Sequence, residues 1–101
     1  MIVRIWKAVA SAAQADAYPA YFADALLPKL RQIEGCAGAR LLRRSLGEQV
    51  EFMVLTHWTS WDAVKAFAGA DPEVAVVEPE AQAMLVRYDR QVQHFELMHE
   101  T

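Results

Sequence analysis

The sequence predicts an α+β fold of the ferredoxin-like kind, with the element order β-α-β-β-α-β and four strands in one antiparallel sheet. Three observations lead to this prediction. Strand-like alternation occurs at both ends of the chain and in its middle. Apolar residues recur at helical spacing in two intervening segments. Right-handed crossovers then place both helices on one face of the sheet. The 101 residues are enough for a single domain, which we expect to span residues 1–101.

The first half of the chain supplies one strand and one helix. Residues 3–9 alternate β-branched and aromatic side chains, with Arg4 and Trp6 on the same face. Asp16 is a candidate N-cap for the helix that follows. Pro28 lies within the apolar stripe of this helix and predicts a kink or a lost hydrogen bond. The stripe itself consists of Phe22, Leu26, Leu30 and Ile33.

The second half supplies a hairpin, a second helix and the last strand. Residues 39–45 and 49–58 read as strands joined by a short turn. Ser60 is placed to cap the second helix, with Asp62 in its positive first turn. Two Pro-Glu pairs then indicate a short, broken helical stretch. Residues 90–98 alternate again and form the last predicted strand.

Composition and charge exclude several classes of function. A formal charge of −3 and a pI near 5.5 give no basic surface for nucleic acid. No run approaches the roughly 20 apolar residues of a membrane span, and charged residues interrupt the short apolar start, so we expect no signal peptide. The single cysteine, Cys36, excludes an internal disulfide and fits a reducing compartment. We expect a cytoplasmic protein that binds neither nucleic acid nor membrane.

One face of the predicted sheet carries no helices. The hydrophobic fraction of 54% is high for a domain of this size. Surplus apolar surface on a small fold is usually covered by a second chain. We therefore expect a homodimer that forms through this uncovered face.

Three segments carry a pattern of apolar and aromatic residues: "EFMVLTHWTSWDAVKAFAG", "LPKLRQIEGCAGARLL", and "VVEPEAQAML" followed by "VQHFEL". In this pattern the chain resembles the antibiotic biosynthesis monooxygenase family, small proteins of the dimeric α+β barrel group. The resemblance implies a homodimer whose sheets face each other as a barrel, with a pocket between the sheet and helices of each subunit. It also implies oxygenation of a phenolic or quinol-like small molecule without metal, flavin or other cofactor.

The chain departs from two branches of this family. Quinol-oxygenating members often have Ala-His in the second helix, where this chain has Ala66-Phe67. Haem-degrading relatives use an asparagine on the first strand and a histidine after the second helix. Here the first strand has no asparagine and residues 71–88 contain no histidine, so the sequence disfavours haem degradation. The alternative to an oxygenase is a non-catalytic, small-molecule-binding or stress-associated dimer of the same fold.

His94 is the candidate catalytic residue. Alternation along the last strand predicts that Phe95 and Leu97 face the helices, because they form the apolar row there. His94 and Glu96 would then turn to the opposite, dimer-side face. A histidine there would be the one nearest any ligand.

The candidate substrate-binding residues are Arg4, Trp6, Trp58 and Glu96. The first and last strands are neighbours in this topology, so Arg4 and Trp6 are expected beside His94 and Glu96. A His–Glu pair next to a guanidinium and an indole can deprotonate a phenol and hold the anion. In this interpretation His94 is the base, Arg4 the anion partner, and Trp6 and Trp58 the aromatic walls. The other interpretation is a polar seam of the dimer with an Arg4–Glu96 salt bridge.

The remaining aromatic cluster is interpreted as structural. Trp61 begins an apolar helical face with Val64 and Phe67, which predicts that its ring packs in the core. Trp58 matches the aromatic residue that ends this strand in the family and is also expected to pack. His57 points away from Trp58 because side chains alternate along a strand. We expect His57 to face solvent or cap the following helix.

Metal and nucleophile sites are not predicted. His94 and His99 are five residues apart and face opposite ways on a strand, and no cluster supplies three ligands. Cys36 lies among small residues, which favours a buried small hydrophobe over a nucleophile. No Gly-rich phosphate loop or dinucleotide motif is present.

Overall fold

The chain forms one antiparallel sheet with its helices on one face, as the sequence predicts. The computed structural model describes residues 1–101. The strands are β1 (Ile2–Ser11), β2 (Cys36–Leu46), β3 (Gln49–Trp58), β4 (Arg87–Tyr88) and β5 (Gln93–Glu96). They lie in the order β2-β3-β1, and β4 and β5 both pair with the free side of β1.

The predicted four-stranded sheet therefore has five strands, because the last strand is divided in two. β4 pairs with Ala8 and Val9, and β5 pairs with Ile2–Ile5. Between them, residues 90–92 hydrogen-bond to a segment that crosses the helical side, which we call the strap (residues 70–78). The bonds are Val92 N–H to Glu73 O at 2.8 Å and Ala75 N–H to Arg90 O at 2.9 Å.

The helical layer consists of α1 (Ala17–Tyr21), α2 (Leu27–Arg31), α3 (Trp61–Ala68) and α4 (Pro79–Gln82). α1 and α2 are joined without a break by a π-helical segment, Phe22–Leu26. Pro28 explains this segment, because proline has no N–H to donate to the carbonyl four residues earlier. The disturbance predicted at Pro28 thus takes the form of a widened helical turn. The predicted helical stretch before the last strand is reduced to the single turn of α4.

A tight joint holds α3 against the loop before β2. The Ser60 hydroxyl accepts a hydrogen bond from Ala63 N–H at 3.1 Å and caps α3, as predicted. Gly35 has a φ of 89°, and a Cβ there would lie 2.4 Å from the Ala63 Cβ. Its carbonyl accepts from Thr59 N–H at 2.9 Å. Only glycine fits this approach, so the end of β3 and the start of α3 are fixed in place.

Two buried clusters lie between the sheet and the helices. One contains Tyr18, Phe22 and Phe52, and the other contains Leu30 and Trp58. The β1 residues between these clusters are Arg4 and Trp6, which share the helical face of the sheet with their buried neighbours. The charged side chain of Arg4 therefore lies between the two buried clusters. No helix is both long and apolar enough to cross a membrane.

Candidate active site

A cavity of about 70 Å³ occupies the gap between the two core clusters. Its floor is formed by Arg4 and Trp6 from β1 and by Thr56 from β3. Tyr18 and Tyr21 line it from α1, and the remaining lining is mostly aliphatic. By volume it holds about five water molecules. An apolar cavity with a few converging polar groups is the usual form of a small-molecule site.

Arg4 is the only charged residue buried in the core, with 4% of its surface exposed. Its Nη1 donates to the Pro72 carbonyl, and its Nη2 donates to the Val74 carbonyl at 2.9 Å. The guanidinium also lies over the Phe67 ring, 5.7 Å from the centroid. The ion pairs of the protein are Lys29–Glu78, Arg43–Asp16 and Arg44–Glu51, so no carboxylate neutralises Arg4. Burial lowers the pKa of Arg4.

His94 is placed against Arg4 and not on the dimer side of the sheet. Arg4 Nη1 lies 3.0 Å from His94 Nε2. A guanidinium has no acceptor, so Nε2 accepts this bond and the ring is the neutral tautomer with its proton on Nδ1. Burial and then the Arg4 cation lower the pKa of His94, and Glu73 partly opposes them. The Trp61 ring lies over the imidazole, with centroids 5.0 Å apart.

The predicted orientation of the last strand is wrong. His94 lies opposite Arg4 and Phe95 lies opposite Val3 in the β1–β5 pair. Directly opposed residues share a face, so His94 and Glu96 are on the helical side and Phe95 is on the uncovered side. The apolar pair Phe95 and Leu97 does not identify the helical face, because the uncovered face also carries large apolar side chains such as Leu42. The register against β1 decides the orientation, and His94 lines a surface pocket beside the cavity and not the cavity itself.

Trp6 lines the cavity with its aromatic ring. The indole N–H donates to the Asp89 carbonyl at 2.8 Å. The ring packs between Tyr18 and Tyr88, with centroid separations of 6.0 Å and 6.3 Å. Because its single donor is used, Trp6 offers a ligand only its faces.

Trp58 is fully buried and packs, but it does not line the cavity. Its ring lies 5.0 Å from that of Phe67, and its indole N–H donates to Thr56 Oγ1 at 2.8 Å. Thr56 does line the cavity, directly opposite Arg4 in the β1–β3 pair. Sequence reasoning missed Thr56. The signal was its position two residues before Trp58 in β3, on the same face of the strand.

Glu96 does not join the cavity. It is exposed, lies opposite Ile2 at the end of β1, and makes no ion pair with Arg4. The Arg4–Glu96 salt bridge of the polar-seam interpretation is therefore absent. The carboxylate nearest to the cavity is Glu78 of the strap, whose Oε1 lies 3.1 Å from Lys29 Nζ of α2. These two half-exposed side chains bridge the helices and the strap.

The charges of Lys29 and Glu78 change the pKa of Tyr21. Burial raises the pKa of Tyr21, the carboxylates of Glu78 and Glu80 raise it further, and Lys29 opposes them. The Tyr21 phenol is therefore protonated at neutral pH, and it lines the cavity next to Tyr18.

Trp61 and His57 both differ from their predicted roles. Trp61 is 45% exposed. Helical side chains lean toward the N-terminus, and Trp61 is the first residue of α3, so its ring extends past the helix end onto His94. His57 neither faces solvent freely nor caps α3, because it lies opposite Val3 on the uncovered face with its Nε2 buried and without a hydrogen-bond partner. No three His, Cys, Asp or Glu side chains are grouped to hold a metal ion.

Comparison with known proteins places this fold in a family. The sequence model described as antibiotic biosynthesis monooxygenase matches residues 1–84. The chain belongs to this family. A comparison with curated proteins found no match.

Solved structures share the fold across nearly the whole chain. The haem degrader MhuD from Mycobacterium tuberculosis, solved with two haems in its active site, is 24% identical, with 100% of this chain and 99% of MhuD covered and a TM-score of 0.67. A putative family member from Deinococcus radiodurans is 14% identical, with coverages of 100% and 96% and a TM-score of 0.66. One from Caulobacter crescentus is 16% identical, with coverages of 97% and 90% and a TM-score of 0.68.

Proposed function

We propose that the protein is a cofactor-independent monooxygenase that acts on a phenolic or quinol-like small molecule in the cavity. Family membership supports a monooxygenase-like function. The observation that carries the proposal is the buried guanidinium of Arg4 in an aromatic-lined cavity, because it stabilises the anion of an electron-rich phenol. Such an anion donates an electron to O₂ directly.

The proposed reaction needs no external reductant. A hydroquinone and O₂ give a hydroxyquinone and water, so one oxygen atom enters the ring and the other leaves as water. The substrate supplies all the electrons that reduce O₂. The protein supplies the charge of Arg4, the aromatic wall of Trp6 and a mostly apolar cavity.

His94 is the base in this proposal. In the free protein its Nε2 lone pair faces Arg4 Nη1. Because Arg4 separates His94 from the cavity, transfer of a proton to His94 requires Nη1 to turn from the imidazole to the substrate oxygen and the substrate to reach Nε2. Substrate binding then stabilises the anion and frees the base in the same movement. Trp58 contributes through Thr56, which it orients, and not as a wall. Glu96, the remaining candidate, contacts neither Arg4 nor the cavity, so we assign it no step.

Oxygen uptake tests this function directly. Purified protein treated with a chelator is mixed with hydroquinones and anthrone-like phenols, and O₂ consumption is compared with product. We expect about one O₂ per product without peroxide release. His94→Ala should lower the rate by about 10²–10⁴, the usual range for a general base, while Arg43→Gln, a surface change outside the cavity, should not. An unchanged rate in His94→Ala would remove the histidine from the chemistry.

The alternative function is a non-catalytic small-molecule-binding dimer. One observation favours it: the only histidine near the cavity already has its acceptor nitrogen occupied by Arg4. Ligand binding without O₂ uptake for any phenol of the panel would support this alternative. A haem titration followed by absorbance belongs in the same experiment, and we expect no stoichiometric binding, since the chain lacks the asparagine and histidine of the haem-degrading branch.

We also propose a homodimer formed through the uncovered face of the sheet. On that face Leu42 and Phe95 are exposed, and the half-buried Val3, Ile5 and Leu55 continue the apolar surface between them. Two such sheets packed against each other give the barrel of the dimeric α+β group. A cytoplasmic location is proposed as well, supported by the single free cysteine, Cys36.

A further inference from the structure

Apart from the paired Lys29 and Glu78, the polar side chains that line the cavity offer hydrogen-bond donors. A guanidinium has five N–H donors. In Arg4, three of them are used by the Pro72 carbonyl, the Val74 carbonyl and His94 Nε2, so two remain. The Nε–H is one of these two, because the three hydrogen bonds of Arg4 are made by Nη1 and Nη2. An arginine buried to this extent and lining a cavity presents its free donors to whatever fills the cavity.

Thr56 supplies a second donor beside Arg4. Its side chain is buried, and its Oγ1 accepts from the Trp58 indole at 2.8 Å. That bond uses an oxygen lone pair and leaves the hydroxyl hydrogen without an acceptor in the protein. Arg4 and Thr56 are directly opposed in the β1–β3 pair, so their free donors lie on adjacent strands of the same floor.

Tyr18 supplies a third donor from the helical side. It is 2% exposed, and its hydroxyl makes no hydrogen bond within the protein. His57 Nε2 is the only side-chain nitrogen or oxygen that is fully buried and makes no hydrogen bond. The Tyr18 hydroxyl must therefore open on accessible space, and the cavity is the space that Tyr18 lines. Burial raises the pKa of Tyr18, with a further contribution from Tyr21, so the phenol keeps its proton.

The positive charge of Arg4 beside the cavity is also not balanced by a carboxylate. Arg4 is buried without a carboxylate partner, and an uncompensated buried charge is strongly destabilising. The other cation of the lining, Lys29, is already paired with Glu78. A neutral phenol leaves the Arg4 charge uncompensated, and His94 cannot ionise that phenol until its Nε2 is released. A ligand that arrives as an anion meets neither difficulty.

We propose that the cavity binds a single-ring aromatic molecule that carries its own permanent anion, a carboxylate. The carboxylate oxygens accept from Arg4, Thr56 and the Tyr18 hydroxyl, and the ring lies against Trp6. A volume of about five waters, at roughly 30 Å³ of liquid each, suits one ring and not a polycycle. The inference narrows the substrate class of the proposed function and rests on that function for the identity of the cavity as the ligand site.

Matched ligand pairs test the proposal. The probes are 2,5-dihydroxybenzoate against 2,5-dihydroxybenzamide, and benzoate against benzamide, each titrated by calorimetry. Within a pair the shape is conserved and the charge is not. We expect each carboxylate to bind about 10- to 100-fold more tightly than its amide, as hydrogen bonds to a charged group allow. Equal affinity within both pairs overturns the proposal, and so does the absence of binding by either carboxylate at millimolar concentration.

Three variants locate the carboxylate. Arg4→Gln should abolish the preference for the carboxylate, but it also removes the bonds to the strap and can unfold it. Thr56→Val and Tyr18→Phe keep Arg4 and remove one donor each. Each should weaken carboxylate binding about tenfold and amide binding less, because hydrogen bonds to a charged group are the stronger ones. Arg43→Gln removes the same charge outside the cavity and should change neither. Carboxylate affinity unchanged in both hydroxyl variants would place the anion elsewhere and overturn the proposal.

The outcome separates this inference from the proposed function. Oxygen uptake with neutral hydroquinones but no carboxylate preference refutes the inference and leaves the monooxygenase standing. Tight carboxylate binding without O₂ uptake for any ring supports the inference and refutes the monooxygenase. Dihydroxybenzoate that both binds and is oxygenated supports both.

Discussion

The two faces of the sheet are built from alternate residues of the same strands, yet they differ in kind. On the helical face, Phe52 and Trp58 are fully buried and surround a cavity that contains a buried charge. On the uncovered face, Leu42 and Phe95 are 47% and 55% exposed. Both faces carry large apolar side chains, although the uncovered one also carries Lys7, Arg40, Arg44 and Glu51, and only the helical face has its covering layer within the chain. Hydrophobicity alone therefore does not identify the core face of this sheet.

The largest effect should come from a residue on the helical face. Trp58→Ala removes a fully buried aromatic side chain and leaves Thr56 without its hydrogen-bond donor. We expect the free energy of unfolding to fall by about 3–5 kcal/mol, the usual cost of such a deletion. Chemical denaturation followed by circular dichroism measures it. A loss below about 1 kcal/mol would mean that the helical face is not the core.

The uncovered face should respond through assembly. Leu42→Asp combined with Phe95→Asp places two charges on the proposed dimer surface and should weaken dimerisation by about 100-fold or more. Light scattering at micromolar concentration should show two chains for the unmodified protein and one for the variant. Ala83→Asp, an exposed position on the helical side, is the control. A one-chain mass for the unmodified protein contradicts the dimer.

Trp61 offers a matched comparison with Trp58, since the residue type is the same and the positions are three apart. Trp61 is 45% exposed. Trp61→Ala should therefore lower the free energy of unfolding by less than about 1 kcal/mol, as surface substitutions usually do. The same denaturation experiment gives both values. Similar losses for the two alanine variants would mean that the Trp61 ring is buried, for example in the dimer.

The smallest expected effect is a pH dependence from His94. Its folded-state pKa lies below the ordinary value of 6.5, so the unfolded chain takes up the proton first. The contribution of neutral His94 to the free energy of unfolding is complete above pH 6.5 and is lost as the pH falls toward the lowered pKa. The groups facing His94 are Arg4, Glu73 and the Trp61 ring.

His94→Gln should remove this part of the pH dependence, because glutamine keeps an acceptor for Arg4 and does not titrate. The measurement is the free energy of unfolding between pH 7.5 and 5 in both proteins. His57 and His99 are unchanged in the variant, so their contributions cancel in the difference. Parallel curves would show that burial and the Arg4 charge do not lower the pKa of His94.

Much of the fold follows from local sequence signals. The Ser60 cap, the disturbance at Pro28 and the β-α-β-β-α-β order each depend on neighbouring residues, and the structure has all three. The division of the last strand could not be predicted in the same way. It depends on hydrogen bonds between Glu73 and Val92 and between Ala75 and Arg90, which join segments with no shared pattern.

The candidate site was predicted only in part, for a similar reason. Arg4 and Trp6 were paired correctly because residues two apart on a strand share a face. The orientation of His94 depended on the register between β1 and β5, which the sequence does not encode when both faces carry large apolar side chains. Thr56 was missed because its role comes from the Trp58 indole, and a threonine in a strand is otherwise unremarkable.

The strap is hydrogen-bonded to the sheet at few points, and one of them is Arg4 of the candidate site. Arg4 holds the Pro72 and Val74 carbonyls from below, while Ala75 N–H and Val92 N–H join the strap to the end of the sheet. A ligand that binds Arg4 should stabilise these bonds, so the amide protons of Ala75 and Val92 should exchange with solvent together and more slowly when the cavity is occupied. Occupancy of the cavity then becomes visible as slower exchange at two amides that the ligand never touches.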